Sequence, residues 1–210
     1  MKNKFLLTVA AALGLAFAAE AQTVSVGPRV GATFAKVNYS GDDADDVNEE
    51  IESNAGLQFG AVANVAVNDL FSIQPELLYV QKGFKIEEGD GSVKQKLNYL
   101  ELPVLAKVSF GSEDVKAFVT AGPSVGYWLS AKTKYEYDGD SESEDYEFED
   151  EDNRGELGAN FGVGLAYKVG TGEVNLDVRY GFGLTKLYDS SDEKLKNRVF
   201  GISLAYLFSL

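Results

Sequence analysis

The 210-residue sequence contains no cysteine and no histidine, and only four prolines, one tryptophan and one methionine. Without cysteine there are no disulfides, no thiolate nucleophile and no acyl-anchored N-terminal cysteine. Without histidine as well, neither a Ser-His-Asp nor a Cys-His arrangement can be built, and zinc sites with nitrogen or sulfur ligands are excluded. A second long apolar run is also missing: after the N-terminus no stretch of 18 or more apolar residues occurs, so no transmembrane helix is expected. Basic runs that would mark a nucleic-acid partner are absent, and the net charge is −14.

The one long apolar run that does occur is N-terminal. Lys2 and Lys4 precede apolar residues from Phe5 to Ala19, and Ala19-Glu20-Ala21 has the small-x-small form of a cleavage site. Residues 1–21 therefore read as a secretory signal peptide, leaving one domain from Gln22 to Leu210. An exported chain of this kind is either soluble outside the inner membrane or a membrane β-barrel.

Acidic residues are concentrated in two segments, Asp42 to Glu52 and Glu136 to Asp152, which together hold 18 of the 33 acids. Outside them the apolar residues alternate with period two. Eight strands are expected, at about 24–37, 56–67, 70–84, 97–110, 115–131, 156–169, 173–186 and 198–210. Short turns at Asn68-Asp69, Gly111 to Asp114 and Gly170-Thr171-Gly172 alternate with longer acidic links at about 39–55, 87–94, 132–155 and 187–197. Short links at one end and long links at the other are the pattern of an up-and-down outer-membrane barrel.

A soluble exported ligand-binding barrel would alternate too, and the composition of the less apolar face separates the two. That face is rich in glycine: Gly27, Gly31, Gly60, Gly122, Gly126, Gly158, Gly162, Gly164, Gly181, Gly183 and Gly201. Glycine weakens a water-facing strand without any packing return. Inside a narrow barrel of about eight strands, small residues leave room for the few large ones. The apolar face carries no charge in any strand. The expected fold is all-β, an eight-stranded antiparallel up-and-down transmembrane β-barrel with lipid against its apolar face.

The stretch Leu97 to Phe110 shows the consequence. Leu100, Leu102, Val104, Ala106, Val108 and Phe110 form one apolar face, while Glu101, Pro103 and Lys107 lie on the other. Glu101 and Lys107 then point into the lumen, where they, Arg29, Glu76, Asp177, Arg179, Lys82 and Lys168 are expected to pair with one another, since buried charges persist only when paired. Trp128 and Phe118 are expected to help fill the lumen. Pro28, Pro75, Pro103 and Pro123 all fall inside strands, so bulges or broken ladder bonds are expected there.

Several short motifs resemble the PorT-like outer-membrane β-barrel family of Bacteroidetes-type bacteria. They are Tyr99-Leu100-Glu101-Leu102-Pro103-Val104-Leu105, the glycine pattern from Gly158 to Tyr167, Arg179-Tyr180-Gly181, Gly183-Leu184, Asn197-Arg198-Val199-Phe200, and the aromatic C-terminal strand. The resemblance implies an integral outer-membrane barrel, similar in architecture to OmpX or the OmpA barrel domain. The family's namesake is linked to protein secretion across the outer membrane.

The function expected from these readings is structural and interactive, with acidic loops presented outward, no enzymatic activity and no cofactor. A narrow channel is the main alternative. The expected partners are outer-membrane lipid and envelope or secretion proteins, with the barrel monomeric and no nucleic acid bound. Asp138, Asp140 and Glu142 are weak Ca²⁺ candidates through oxygen ligands, since the segment lacks the glycine that a helix–loop–helix calcium site places sixth.

Overall fold

A computed structural model describes residues 23–41, 44–89, 91–138, 140–148, 154–187 and 194–210. The leader expected over 1–21 lies outside these residues. The strands are β1 Val24–Ser40, β2 Ile51–Ala66, β3 Phe71–Glu88, β4 Gly91–Gly111, β5 Val115–Tyr137, β6 Asp140–Asp145, β7 Gly155–Val169, β8 Gly172–Gly183 and β9 Lys194–Ser209, with one short helix, α1 Ala44–Glu50. All pairings are antiparallel. Neighbours run β4-β3-β2-β1-β9-β8-β7-β5, and β4 also pairs with β5, which closes a ring of eight. The strand β6 stands outside that ring as a hairpin arm on β5.

Alternation sets the two faces. Along β7, Leu157, Phe161, Val163 and Leu165 are each more than half exposed on the outer surface. Between them Gly158, Asn160 and Gly162 are buried. The inward glycines make room for the next strand: a Cβ on Gly162 would lie 2.7 Å from Thr120 Oγ1, and one on Gly158 would lie 2.7 Å from Ser124 Oγ.

The four prolines break rungs without shifting register. Pro28 is missing from the β1–β9 ladder, Pro75 from β2–β3, Pro103 from β3–β4 and Pro123 from β4–β5. Each keeps a partner on its other side, so the absent N–H costs one side of the ladder only. All four lie in the half nearer the short turns.

Register does shift at two other places. Asn98 pairs with Ser130 but Tyr99 pairs with Trp128, which leaves Leu129 unpaired on β5. One extra residue inverts the alternation, so Trp128 and Ala131 both face inward. A second irregularity separates Ser53 from Gln58 on β2.

The strands run further than the sequence suggests, which corrects the expected links. The link expected at 87–94 is nearly all strand, with β3 ending at Glu88 and β4 starting at Gly91. The segments at 39–55 and 132–155 likewise contain strand for much of their length, and α1 and β6 lie within them. Charged side chains gave these segments the look of loops. On a sheet that continues into water beyond the barrel, charges carry no burial penalty, and backbone pairing continues through them.

Candidate functional site

The lumen is layered. Nearest the short turns, Lys107 Nζ donates to Asn175 Oδ1 at 2.8 Å, lies 3.8 Å from Glu173, and sits 4.1 Å above the Phe118 ring. Below this layer a vestibule of about 610 Å³ opens outward, with Lys116, Lys168, Asp69 and Glu113 in its wall. Lys168 is exposed there and takes no part in the interior pairs.

The middle layer joins four of the residues named from sequence. Arg179 grips Glu76 with two nitrogens, at 2.7 and 3.0 Å. Arg29 Nη2 lies 2.5 and 2.7 Å from the two Asp177 oxygens, and its Nη1 reaches Glu76 at 3.4 Å. Gln74 donates to Glu76 at 2.6 Å and Arg29 donates to Ser203 at 2.5 Å. Two guanidinium groups thus balance two carboxylates, and the fork of each Arg suits a carboxylate's two oxygens.

Glu101 belongs to a third layer, apart from Asp177. Lys82 Nζ lies 3.0 Å from Glu101 and 2.5 Å from Glu156, and 4.6 Å from the centre of the Tyr99 ring. Asn197 donates to Glu156 and to Tyr99 at 3.4 Å. Asn160 donates to Ser124 at 3.0 Å. A cavity of about 30 Å³ lies between this layer and Arg179, with space for about one or two water molecules.

Above the charges the lumen turns apolar. Val37, Ile51, Leu97, Tyr99, Trp128, Ala131 and Leu187 are buried together, and Tyr146 and Phe148 fold over them from the segment after β6. Trp128 stacks on Tyr99 at 6.2 Å and on Tyr146 at 5.6 Å, and meets Phe148 edge-on at 5.1 Å. Arg154 donates to the Trp128 carbonyl and lies 4.0 Å over Phe148. The six lumen residues named from sequence are therefore divided among three layers. Glu156, Gln74, Asn175, Asn197 and the cap were missed.

Asp138 occupies the turn before β6 with φ of 50°, and Asp140 and Glu142 are exposed on β6. Among the described residues no group of three or more acidic side chains converges closely enough to hold a metal ion.

Residues 20–189 match the family described as an outer membrane protein beta-barrel domain. The chain belongs to that family. Outer-membrane barrels as a class hold their long strand connections at the cell surface and their short turns in the periplasm. No curated relative is matched. Among solved structures it is similar to Ail, the attachment invasion locus protein of Yersinia pestis, at 15% identity over 88% of this chain and 98% of that one, with a TM-score of 0.44. It is similar to Neisserial surface protein A at 14% identity over 87% and 97% of the two chains, with a TM-score of 0.46. The outer membrane protein AlkL, solved in DMPC bilayers, matches at 16% identity over 88% and 90%, with a TM-score of 0.42.

Proposed function

We propose that this protein is a sealed, monomeric outer-membrane barrel with a structural and interactive role, holding its extended strands outward for envelope or secretion partners. The observation that carries this reading is the lumen: three layers of paired charge lie under an apolar cap, and the cavity among them is about 30 Å³. Ion flow along this axis would require charges to part inside a low-dielectric interior.

A non-enzymatic role is part of the proposal, supported by a chain with neither histidine nor cysteine. So is membership of the PorT-like group of Bacteroidetes-type barrels, supported by the Tyr99 to Leu105 segment and the glycines of β7. The periplasmic vestibule favours a narrow channel as the second reading, but it ends at Lys107 and Phe118.

Two measurements test the proposal. In planar bilayers the purified protein is expected to show no discrete conductance steps, and steps at neutral pH would replace this reading with the channel. Cross-linking from native membranes is expected to capture envelope proteins with the full chain and to lose them when 138–152 is deleted. Capture that survives the deletion would remove the hairpin from the proposal.

A further inference from the structure

The outer surface changes abruptly at the extracellular rim of the apolar belt. On β4 the belt ends at Leu100, and the next outward positions are Asn98, Lys96 and Lys94. Register carries this across the wall. Lys96 stands opposite Lys132 of β5, and Lys94 stands between Lys85 of β3 and Lys134 of β5. Around the ring, Lys36 of β1 faces Arg198 of β9.

Like charges directly opposite one another destabilise a sheet. A chain with net charge −14 has acids in surplus to place between them. Three rungs of like charge on one rim therefore point to negative charge supplied from outside the chain.

Five of these lysines, Lys85, Lys94, Lys96, Lys132 and Lys134, line one hollow of about 490 Å³, and every titratable side chain in its wall is a lysine. The carboxylates that touch them stand at its edge. Glu136 lies 2.5 Å from Lys94 and 2.6 Å from Lys134, Asp145 lies 3.6 Å from Lys132, and Lys85 pairs with Glu87 and, at 3.6 Å, with Glu52. Four carboxylates oppose five ammonium groups. Among the described residues Lys96 has no carboxylate within 4.0 Å, and it is the outward-facing lysine of β4 nearest the belt.

We propose that this hollow binds phosphate groups carried on the headgroups of outer-leaflet lipid. Lys96 lies four residues beyond Leu100, about 13 Å along a tilted strand, which places it in the polar zone beside the hydrocarbon core. A phosphorylated lipid reaches that height with its acyl chains beside Leu100, Tyr127 and Leu129, all exposed on the outer surface directly below. The side chains of Ser53 and Ser143 in the same wall supply neutral donors to a phosphate oxygen. The site rests on the outer-membrane location and not on whether the lumen conducts.

The test uses the full-length mature protein in nanodiscs of zwitterionic phosphatidylcholine. These are titrated with bis-phosphorylated lipid A, with the same lipid after its phosphates have been removed, and with inorganic phosphate. The phosphorylated lipid is expected to bind about tenfold or more tightly than the stripped one. Lys96→Gln with Lys132→Gln is expected to remove most of that preference, and Glu136→Gln to increase it. Lys116→Gln, at the periplasmic mouth, is expected to change nothing. Retained heat-modifiable gel mobility shows that each variant is folded. Equal binding of the two lipids, or an undiminished preference in the double variant, would overturn the proposal. Competition by inorganic phosphate at matching concentration would assign the hollow to a free anion and end the lipid assignment. Any of these results leaves the sealed-barrel reading standing, because none of them bears on conductance.

Discussion

Lys82 and Glu156, 74 residues apart in the chain, meet inside the barrel with Nζ 2.5 Å from Oε1. Glu101 lies 3.0 Å from the same ammonium group, so a single cation holds two buried carboxylates. Replacing Lys82 with Met leaves both acids without it and is expected to cost about 3–5 kcal/mol. Urea unfolding in lipid vesicles reads this. The triple variant Lys82→Met, Glu101→Gln, Glu156→Gln is expected to recover much of the loss, and a triple variant less stable than the single one would contradict the assignment.

Gly162 faces Thr120 across the β5–β7 ladder. Gly162→Val is expected to cost about 1–3 kcal/mol by overpacking the lumen wall. Thr120→Ala on that background should restore part of it, read as the fraction of folded barrel in vesicles. Absence of any rescue would mean that the inward face is looser than described.

Glu136 provides a pH signature outside the membrane. Hydrogen bonds from Lys134, then Lys94 and Ser92, hold its carboxyl at about 2, down from the usual 4.5. A carboxyl depressed in the folded state stabilises above its unfolded pKa and loses that contribution as pH falls through the folded one. Protection of the amides of residues 132–145, taken relative to the intrinsic exchange rate at each pH, is therefore expected to fall between pH 4.5 and about 2. Glu136→Gln should flatten that dependence, and an unchanged slope in the variant would locate the effect elsewhere.

Trp128 is the chain's one tryptophan and is fully buried beneath Tyr146 and Phe148. Its fluorescence is expected to resist acrylamide in the folded barrel. Phe148→Ala with Tyr146→Ala should admit the quencher, and Trp128→Ala should cost about 3–5 kcal/mol. Easy quenching in the intact protein would mean that the cap stands open.

Alternation made the barrel legible wherever one face met lipid, as at Leu100, Leu102 and Val104 against Glu101 and Pro103. It gave less where the strands leave the membrane. The segment Asp140 to Asp145 has no apolar residue, and only its pairing with Lys132 to Tyr137 makes it a strand. Glu156 opens the strand expected at 156–169, beside the acidic link, and was not counted among the lumen charges, yet at the second position of β7 its carboxylate meets Lys82. The cap was hidden for another reason: the unpaired Leu129 inverts the parity of β5, so Ala131 faces inward where simple alternation points it outward. The lysine hollow depends on register alone, because its five lysines come from three strands and are scattered among acids in the chain.

The account rests on which face of the ring meets lipid, and the absence of native cysteine makes that directly measurable. Single cysteines at Asn160, Phe161, Gly162 and Val163, each carrying a spin label in reconstituted bilayers, report accessibility to oxygen and to a water-soluble nickel reagent. Labels at Phe161 and Val163 are predicted to be open to oxygen and closed to nickel, while those at Asn160 and Gly162 are shielded from both. Oxygen exposure at Asn160 and Gly162, with nickel reaching Phe161 and Val163, would contradict the account.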